Sequence, residues 1–277
     1  GNNLMNHSDQ LIHIFFGDKS NAVSKSKLLQ ADRKSALLIS PLVTLKQEFN
    51  LTGCFFQQQV HGVNGMVINK EYIKEKWIPR YALNDRGFLL HQGNFATLCH
   101  PEQTKCGVGS RFFSQNGDFM ITNLSAIGLG ILTADCLPII MVDTKNHAIG
   151  IAHAGWRGSV QKIGPLMLQA LQNNFNSKPS DITVYFGPSA LPCCYEVDVK
   201  FKENLENNLA QKTIINRNGA LFFDLPLYNK LLLIDAGIPQ ENFISTYNKC
   251  TLCTSDYCSY RREKDDDLRQ ITLVSLK

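Results

Sequence analysis

Four short apolar runs follow one another in the middle of the chain, and each is separated from the next by a few turn-forming residues. Runs of this length that are rich in Ile, Val and Phe are typical of β-strands. Four of them in succession predict the sheet core of the protein. The runs lie at residues 119–122, 129–133, 139–142 and 148–153.

An apolar series at helical spacing follows these strands and predicts a helix that ends near Phe175. Pro165 lies early in the series, where it marks either the first turn or a kink. Further strands are predicted at 182–186, 243–247 and 271–274, and further helices at 43–49, 197–209 and 227–236. Strands and helices are thus mixed along the chain, which predicts an α/β or α+β layered fold. The helical series consists of Val160, Ile163, Met167, Ala170 and Leu171.

A single domain over residues 1–277 is expected, because no repeat, low-complexity tract or Pro/Gly/Ser linker divides the chain. Residues 84–118 contain five glycines among polar residues. This composition is typical of a long irregular segment. An insertion is therefore predicted at about 84–118.

Composition narrows the classes of partner. The net charge of +4 comes from 28 basic and 24 acidic residues, a balance that disfavours a dedicated nucleic-acid binder and favours small molecules. No apolar stretch reaches the ~20 residues of a membrane-spanning helix, since Asp135 and Pro138 interrupt the longest one. Residues 1–10 lack the pattern of a secretory signal, and the chain is therefore expected to be cytoplasmic, with its nine cysteines reduced.

Three side chains that soft metals prefer lie at predicted changes of chain direction: His61, Cys136 and His153. Three protein ligands with one open position are typical of a catalytic zinc site. The spacing alone leaves a second interpretation open, because a buried free cysteine and two hydrogen-bonded core histidines would give the same pattern. His153 stands out because a Gly-Trp-Arg-Gly turn follows it, which would bring backbone N–H groups and Arg157 beside it.

Seven motifs follow one another along the chain: Gln59-Val60-His61-Gly62, Thr133-Ala134-Asp135-Cys136-Leu137-Pro138, Ala152-His153-Ala154-Gly155-Trp156-Arg157-Gly158, Gly187-Pro188, Tyr195-Glu196-Val197, Cys250-Thr251 and Ser259-Tyr260-Arg261-Arg262. In this order they resemble the motifs of the multicopper polyphenol oxidoreductase (laccase-like) family, whose members are associated with purine nucleoside phosphorylase and adenosine deaminase activities. The resemblance runs from about Gln59 to the end of the chain.

The resemblance implies that His61, Cys136 and His153 bind zinc. It also implies a single four-layer α-β-β-α sandwich with mixed sheets, shared with a toxin deamidase that uses a Cys and a His. The expected partners are purine nucleosides and phosphate. The oligomeric state is left open, with a homodimer among the options.

One departure from the family pattern bears on phosphate. Relatives usually carry an Arg-x-Gly-Gly-x-Ser stretch near the amino end, whereas residues 16–24 of this chain contain no arginine. If that arginine holds phosphate in relatives, phosphorolysis is weakened here unless Lys19 or the 84–118 insertion replaces it. Arg157, Arg261 and Arg262 are the predicted phosphate-binding residues, because guanidinium groups bind such anions bidentately.

Three functions are compatible with these residues. Zinc lowers the pKa of its water toward ~7, which would supply a hydroxide for attack on C6 of adenine in adenosine, with Asp135 as the candidate acid/base. A copper-dependent phenol oxidase is an alternative, disfavoured because none of the seven histidines forms a His-x-His pair. The third option is a metal-free cysteine hydrolase, with Cys136 as the nucleophile and His153 as its base.

Cys250, Cys253 and Cys258 form a separate cluster in the sequence. A Cys-x-x-Cys pair binds a structural zinc only if the fold supplies further ligands, here from Cys193 and Cys194 or from Cys99 and Cys106. Incidental thiols are the other interpretation, and the sequence favours it.

Overall fold

The computed structural model describes residues 4–5, 12–25, 40–58, 63–70, 72, 81–83, 89–91, 112–116, 118–265 and 267–277. His61 and most of the predicted insertion at 84–118 lie outside the described residues. Among the described helices, none combines the length and the apolar character that crossing a membrane requires.

The strands and helices of this part of the chain are numbered in sequence order. The strands are β1 (Leu4–Met5), β2 (Ile12–Phe16), β3 (Val23–Ser24), β4 (Gly53–Gln58), β5 (Gly65–Ile68), β6 (Tyr81–Leu83), β7 (Leu89–His91), β8 (Phe112–Asn116), β9 (Phe119–Thr122), β10 (Ile127–Thr133), β11 (Leu137–Asp143), β12 (Ala148–Ala154), β13 (Ile182–Phe186), β14 (Glu196–Val197), β15 (Ile214–Arg217), β16 (Ala220–Phe223), β17 (Phe243–Ile244) and β18 (Leu268–Leu276). The helices are α1 (Ser40–Glu48), α2 (Trp156–Val160), α3 (Ile163–Phe175), α4 (Val199–Lys202), α5 (Asn207–Thr213), α6 (Leu225–Asp235) and α7 (Tyr260–Glu263).

Two mixed sheets contain most of these strands. Sheet 1 joins seven strands in the order β1-β2-β18-β10-β4-β8, with β3 also paired to β18, and sheet 2 joins six in the order β17-β13-β11-β12-β9-β5. Parallel pairs such as β10–β4 and β13–β17 occur beside antiparallel pairs such as β11–β12. The predicted mixture of helices with mixed sheets is therefore confirmed.

The two sheets pack face to face, and helices cover their outer faces. Because side chains alternate along a strand, β18 contributes Val274 to the core between the sheets and Leu273 to an outer core, which also contains Leu45 of α1. In the same way β11 directs Ile140 toward sheet 1, while Ile139 belongs to the core formed with α3 and α6. The layers thus run helix, sheet, sheet, helix.

The four central runs all form strands, β9 to β12, as predicted, but β10 belongs to sheet 1 and the other three belong to sheet 2. Periodicity identifies a strand without naming its partners, and so it could not separate the sheets.

The predicted strand at 182–186 is β13, and the predicted helix at 227–236 corresponds to α6. Pro165 is the third residue of α3 and therefore lies in its first turn.

The structure departs from one prediction made from periodicity and from part of one made from composition. Residues 197–209 do not form one helix: Val197 ends β14, and α4 and the start of α5 are separate, each with its own N-cap at Asp198 and Glu206. Within the predicted irregular segment, Phe112–Asn116 forms β8, which pairs in parallel with β4. Tertiary pairing overrides a local composition that favours loops.

Replacement of Ile140 by Ala is expected to reduce the free energy of unfolding by roughly 2–5 kcal/mol, because it leaves a cavity between the two sheets where the side chain has no solvent exposure. Urea denaturation measures the change. Ile215→Ala is the control, since Ile215 is 40% exposed and its loss is expected to change stability by about 0.5 kcal/mol or less. Equal effects of the two substitutions would contradict the described packing.

Candidate active site

The antiparallel pair β11–β12 sets the geometry of the candidate site. In its register Leu137 lies opposite Ala154, and Pro138 lies opposite His153. Cys136 immediately precedes β11, so its thiol and the imidazole of His153 come from the same end of neighbouring strands. Both residues line one cleft. The structure therefore brings together two of the three predicted metal ligands, while the third, His61, lies outside the described residues.

The cleft has a cavity volume of about 100 Å³ and is partly open to solvent. This volume is below the ~300–1,000 Å³ of most small-molecule sites, but the lining mixes aromatic, charged and small residues as such sites do. The lining residues are Asp118, Asp135, Cys136, His153, Gly155, Trp156, Arg157, Gly158, Tyr195, Leu225 and Arg261.

Asp135 holds the turn that precedes Cys136. Its φ of +83° lies in the left-handed region, which costs energy for a residue other than glycine unless other contacts hold it. Its Oδ1 accepts a hydrogen bond from the Thr251 hydroxyl at 2.6 Å, and its Oδ2 accepts one from the Arg261 backbone N–H at 2.7 Å. Both carboxylate oxygens are thus engaged in fixing the loop. The carboxylate therefore positions the loop, and Asp135 also lines the cleft beside Cys136.

The protonation state of Cys136 follows from its surroundings. Burial raises the pKa of the Cys136 thiol to about 12, and the Asp135 carboxylate acts in the same direction. Arg269 and Arg157 lower the pKa but do not offset the rise. The thiol is therefore neutral near pH 7, and only a nearby cation would convert it to the thiolate.

Two of the three predicted phosphate-binding arginines line the cleft. The guanidinium of Arg157 lies 4.5 Å from the centre of the Trp156 ring, and that of Arg261 lies 4.4 Å from the centre of the Tyr195 ring. Both side chains are exposed, and stacking on an aromatic ring orients the in-plane N–H donors. Arg261 also donates from Nη1 to the Glu196 carbonyl at 2.7 Å. The cleft therefore carries two oriented positive charges.

Arg262 and Lys19 are engaged elsewhere. The guanidinium of Arg262 donates to the carbonyls of Thr251 at 2.5 Å and Tyr257 at 2.6 Å, so it closes the loop between them and does not line the cleft. Lys19, the predicted replacement for the missing arginine, forms an ion pair with Glu263. The structure therefore supports neither residue as a phosphate ligand.

Three residues at or beside this site had no role predicted from the sequence. Tyr195 is 7% exposed, and burial together with nearby Cys136 raises the pKa of its hydroxyl well above the usual range. Asp118 is 1% exposed and its carbonyl accepts a hydrogen bond from the His153 backbone N–H at 2.8 Å. The Thr251 hydroxyl donates a hydrogen bond to the Asp135 carboxylate. Tyr195 and Thr251 belong to motifs that resemble the family's, whereas no pattern in the sequence marked Asp118.

A second group of cysteines lies outside the cleft. The sulfurs of Cys193, Cys194, Cys250 and Cys253 all lie within 4.8 Å of one another. Burial by itself would raise the pKa of the Cys250 thiol. Hydrogen bonds, among them those from the backbone N–H groups of Cys253 and Leu191, have the larger combined effect and lower this pKa to about 7. Cys258, which the sequence grouped with Cys250 and Cys253, is fully buried and does not belong to the group. Cys99 and Cys106 lie outside the described residues.

Known proteins of similar sequence carry two kinds of name. The chain is 40% identical over 158 residues to "Purine nucleoside phosphorylase" of Aquifex aeolicus, a match that covers 57% of this chain and 70% of that protein. It is 32% identical over 162 residues to "Purine nucleoside phosphorylase YlmD" of Geobacillus stearothermophilus, covering 57% of this chain and 59% of the relative. It is also 31% identical over 150 residues to "Adenosine deaminase RL5" of an unknown prokaryotic organism, covering 52% of this chain and 56% of the relative.

Solved structures share the fold. The hypothetical protein YfiH of Bacillus licheniformis matches with a TM-score of 0.72 at 22% identity, covering 99% of this chain and 96% of that one. YlmD of Geobacillus stearothermophilus matches with a TM-score of 0.70 at 23% identity, covering 96% and 92% of the two chains. The model of the family described as multi-copper polyphenol oxidoreductase laccase matches residues 40–277. Because this match covers most of the chain, the chain belongs to the multi-copper polyphenol oxidoreductase laccase family.

Proposed function

We propose that this protein is a zinc-dependent enzyme that acts on purine nucleosides, with deamination of adenosine to inosine as its main reaction and phosphorolysis as a weaker one. The observation that carries the proposal is the cleft that combines Cys136 and His153 with two exposed arginines. The names of its relatives, purine nucleoside phosphorylase and adenosine deaminase, agree with this substrate class.

The donor set of the cleft fits zinc. A thiol and an imidazole are side chains that zinc binds readily, and they come from adjacent strand ends. Burial keeps the Cys136 thiol neutral, and a divalent cation beside it would reverse that preference. Cys136 and His153 would hold the ion together with His61, whose part in the set rests on its motif. Bound zinc would supply Lewis-acid chemistry and acidify water within the cleft.

The remaining residues of the cleft would bind and orient the nucleoside. Trp156 and Tyr195 offer aromatic surface for a purine ring, and Arg157 and Arg261 offer donors for phosphate or ribose oxygens. Two buried carboxylates line the cleft, those of Asp135 and Asp118, and either one would be placed to move a proton. Tyr195 remains protonated and would act as a hydrogen-bond donor.

The alternatives receive less support. A metal-free cysteine hydrolase needs a thiolate nucleophile, whereas burial favours the neutral thiol of Cys136. A copper oxidase that acts on phenols needs a cluster of many histidines, and this sequence contains seven, none in a His-x-His pair.

The direct test incubates the purified protein with adenosine, with and without phosphate, and separates inosine, adenine and hypoxanthine. Inosine that forms without phosphate identifies deamination. Adenine that forms only with phosphate identifies phosphorolysis. The absence of all three products, together with oxidation of phenols by the copper-loaded protein, would replace the proposal with the copper oxidase.

The Cys136→Ala variant is expected to lose nucleoside turnover while it keeps the fold, because it removes a metal ligand but little core volume. Product formation and circular dichroism measure the two properties. Cys258→Ala is the matched control, since this buried cysteine lies outside the cleft and its variant is expected to stay active. Full activity of Cys136→Ala would disprove the zinc mechanism.

The metal-free protein is expected to react slowly with iodoacetamide at Cys136. The pKa of about 12, against an ordinary value of 9.0, reduces the thiolate fraction near neutral pH by roughly a thousandfold. The labelling rate should therefore keep rising with pH beyond pH 10, whereas the same cysteine in the urea-unfolded chain should level off near pH 9. Rapid labelling of the folded protein at pH 7 would favour the cysteine hydrolase.

Deamination is expected to exceed phosphorolysis under saturating phosphate. Only phosphorolysis needs a cationic site for a doubly charged anion, and Lys19 is paired with Glu263 where relatives carry an arginine. Each charge-assisted hydrogen bond to the anion contributes roughly 1.5–3 kcal/mol, so loss of a bidentate arginine weakens phosphate binding on the order of a hundredfold. Measuring both rates on adenosine tests this. A faster phosphorolysis would show that Arg157 and Arg261 suffice for phosphate.

A further inference from the structure

We propose that Cys193, Cys194, Cys250 and Cys253 bind one zinc ion as a structural tetrathiolate site, separate from the cleft. The four residues come from two segments that are far apart in sequence, and the fold brings their sulfurs together to within 4.8 Å of one another. Binding replaces the thiol protons with Zn²⁺ and involves no oxidation or reduction.

The distances between the sulfurs fit zinc. A tetrahedral site with Zn–S bonds of ~2.3 Å requires its sulfurs to lie about 3.8 Å apart. The sulfurs of Cys193 and Cys253 are separated by 3.8 Å. In a four-iron cluster each cysteine binds a different iron, which spaces the sulfurs more widely than this group allows. All four cysteines are free thiols in the structure, so no disulfide competes for the sulfurs there.

The backbone holds both segments before any ion binds. Ser189 and Cys250 form a parallel bridge, in which the Thr251 N–H donates to the Ser189 carbonyl at 3.0 Å. The Cys250–Cys253 turn is closed by the Thr254 N–H, which donates to the Cys250 carbonyl at 3.2 Å. Backbone N–H groups of Cys253, Leu252 and Leu191 donate to the Cys250 sulfur. The turn itself therefore holds the Cys250 sulfur in a fixed position.

Two arginines supply positive charge beside the group. Four thiolates around Zn²⁺ carry a net charge of −2, which favours nearby cations. Arg217 donates from Nη2 to the carbonyls of Pro192 and Cys193, so it lies against the first ligand segment. Arg262 donates to the carbonyls of Thr251 and Leu252, so it lies against the second. This assigns a role to Arg262, whose guanidinium the cleft does not use.

The proposed tetrathiolate site would stabilise one wall of the cleft. Tyr195, which lines the cleft, directly follows Cys194, and Thr251, which holds Asp135, directly follows Cys250. An ion that joins the two cysteine segments would fix both of these residues. The solvent exposure of Cys193 and Cys253 gives the ion access from the surface.

The test compares two full-length variants by elemental analysis after purification without added metal. Cys136→Ala serves as the background because it removes a ligand of the cleft. Adding Cys253→Ser is expected to remove one equivalent of zinc. Loss of a residue that only supports a ligand weakens metal binding by ~10- to 100-fold, and loss of a ligand itself should weaken it more. Adding Cys258→Ser instead is the matched control and should leave the zinc content unchanged.

The outcomes separate this site from the one in the cleft. Loss of one zinc between wild type and Cys136→Ala reports on the cleft alone, whereas loss on adding Cys253→Ser reports on the cysteine group. Equal zinc contents with and without Cys253→Ser would overturn the proposal, as would copper or iron in place of zinc.

A second readout does not depend on whether the double variant folds. Co²⁺ added to metal-stripped Cys136→Ala protein should give the intense charge-transfer absorption of four thiolates around one ion.

After chelation and denaturation, this variant should show eight free thiols, because eight of the nine cysteines remain. A lower count that reductant restores would identify disulfides and overturn the proposal.

Discussion

The central strands of this protein are buried on both faces, and this constraint governs the rest of the structure. Ile140 and Ile151 pack between the sheets, while Ile139 and Ala152 of the same two strands pack against the outer helices. Strands that are covered on both sides favour apolar side chains along their length, as β11 does from Leu137 to Val142. The cleft lies at one end of β11 and β12.

The shape of the cleft depends on the contacts of one carboxylate. Asp135 ties the turn before β11 to Thr251 and to the backbone of Arg261, in a left-handed conformation that these contacts hold in place. The same turn presents Cys136, so a strained backbone and a ligand are neighbours. The carbonyl of Asp135 also accepts a hydrogen bond from Ala190, which begins the segment that leads to Tyr195. One residue thus couples three loops around the cleft.

The cysteine group extends this arrangement on the outer side. Its two segments adjoin Tyr195 and Thr251, and Arg262 closes the loop between Thr251 and Tyr257. The proposed structural ion would therefore stabilise the loops from outside, while the proposed catalytic ion would lie inside the cleft. The two sites differ chemically: one is made of thiolates alone, whereas the other includes an imidazole and faces an open space.

The sequence by itself determined the central strands β9 to β13 and their order, because apolar periodicity reports burial directly. It also determined the family, because the motifs around Asp135 and His153 are specific, and it pointed to Cys136, His153, Arg157 and Arg261 as neighbours in one site. Only the tertiary structure decided that β10 belongs to the other sheet and that Arg262 and Lys19 are engaged elsewhere. The tertiary structure also decided that Cys193 and Cys194, and not Cys258, join Cys250 and Cys253. These outcomes depend on which distant segments meet, and local patterns contain no information about contacts between residues far apart in the chain.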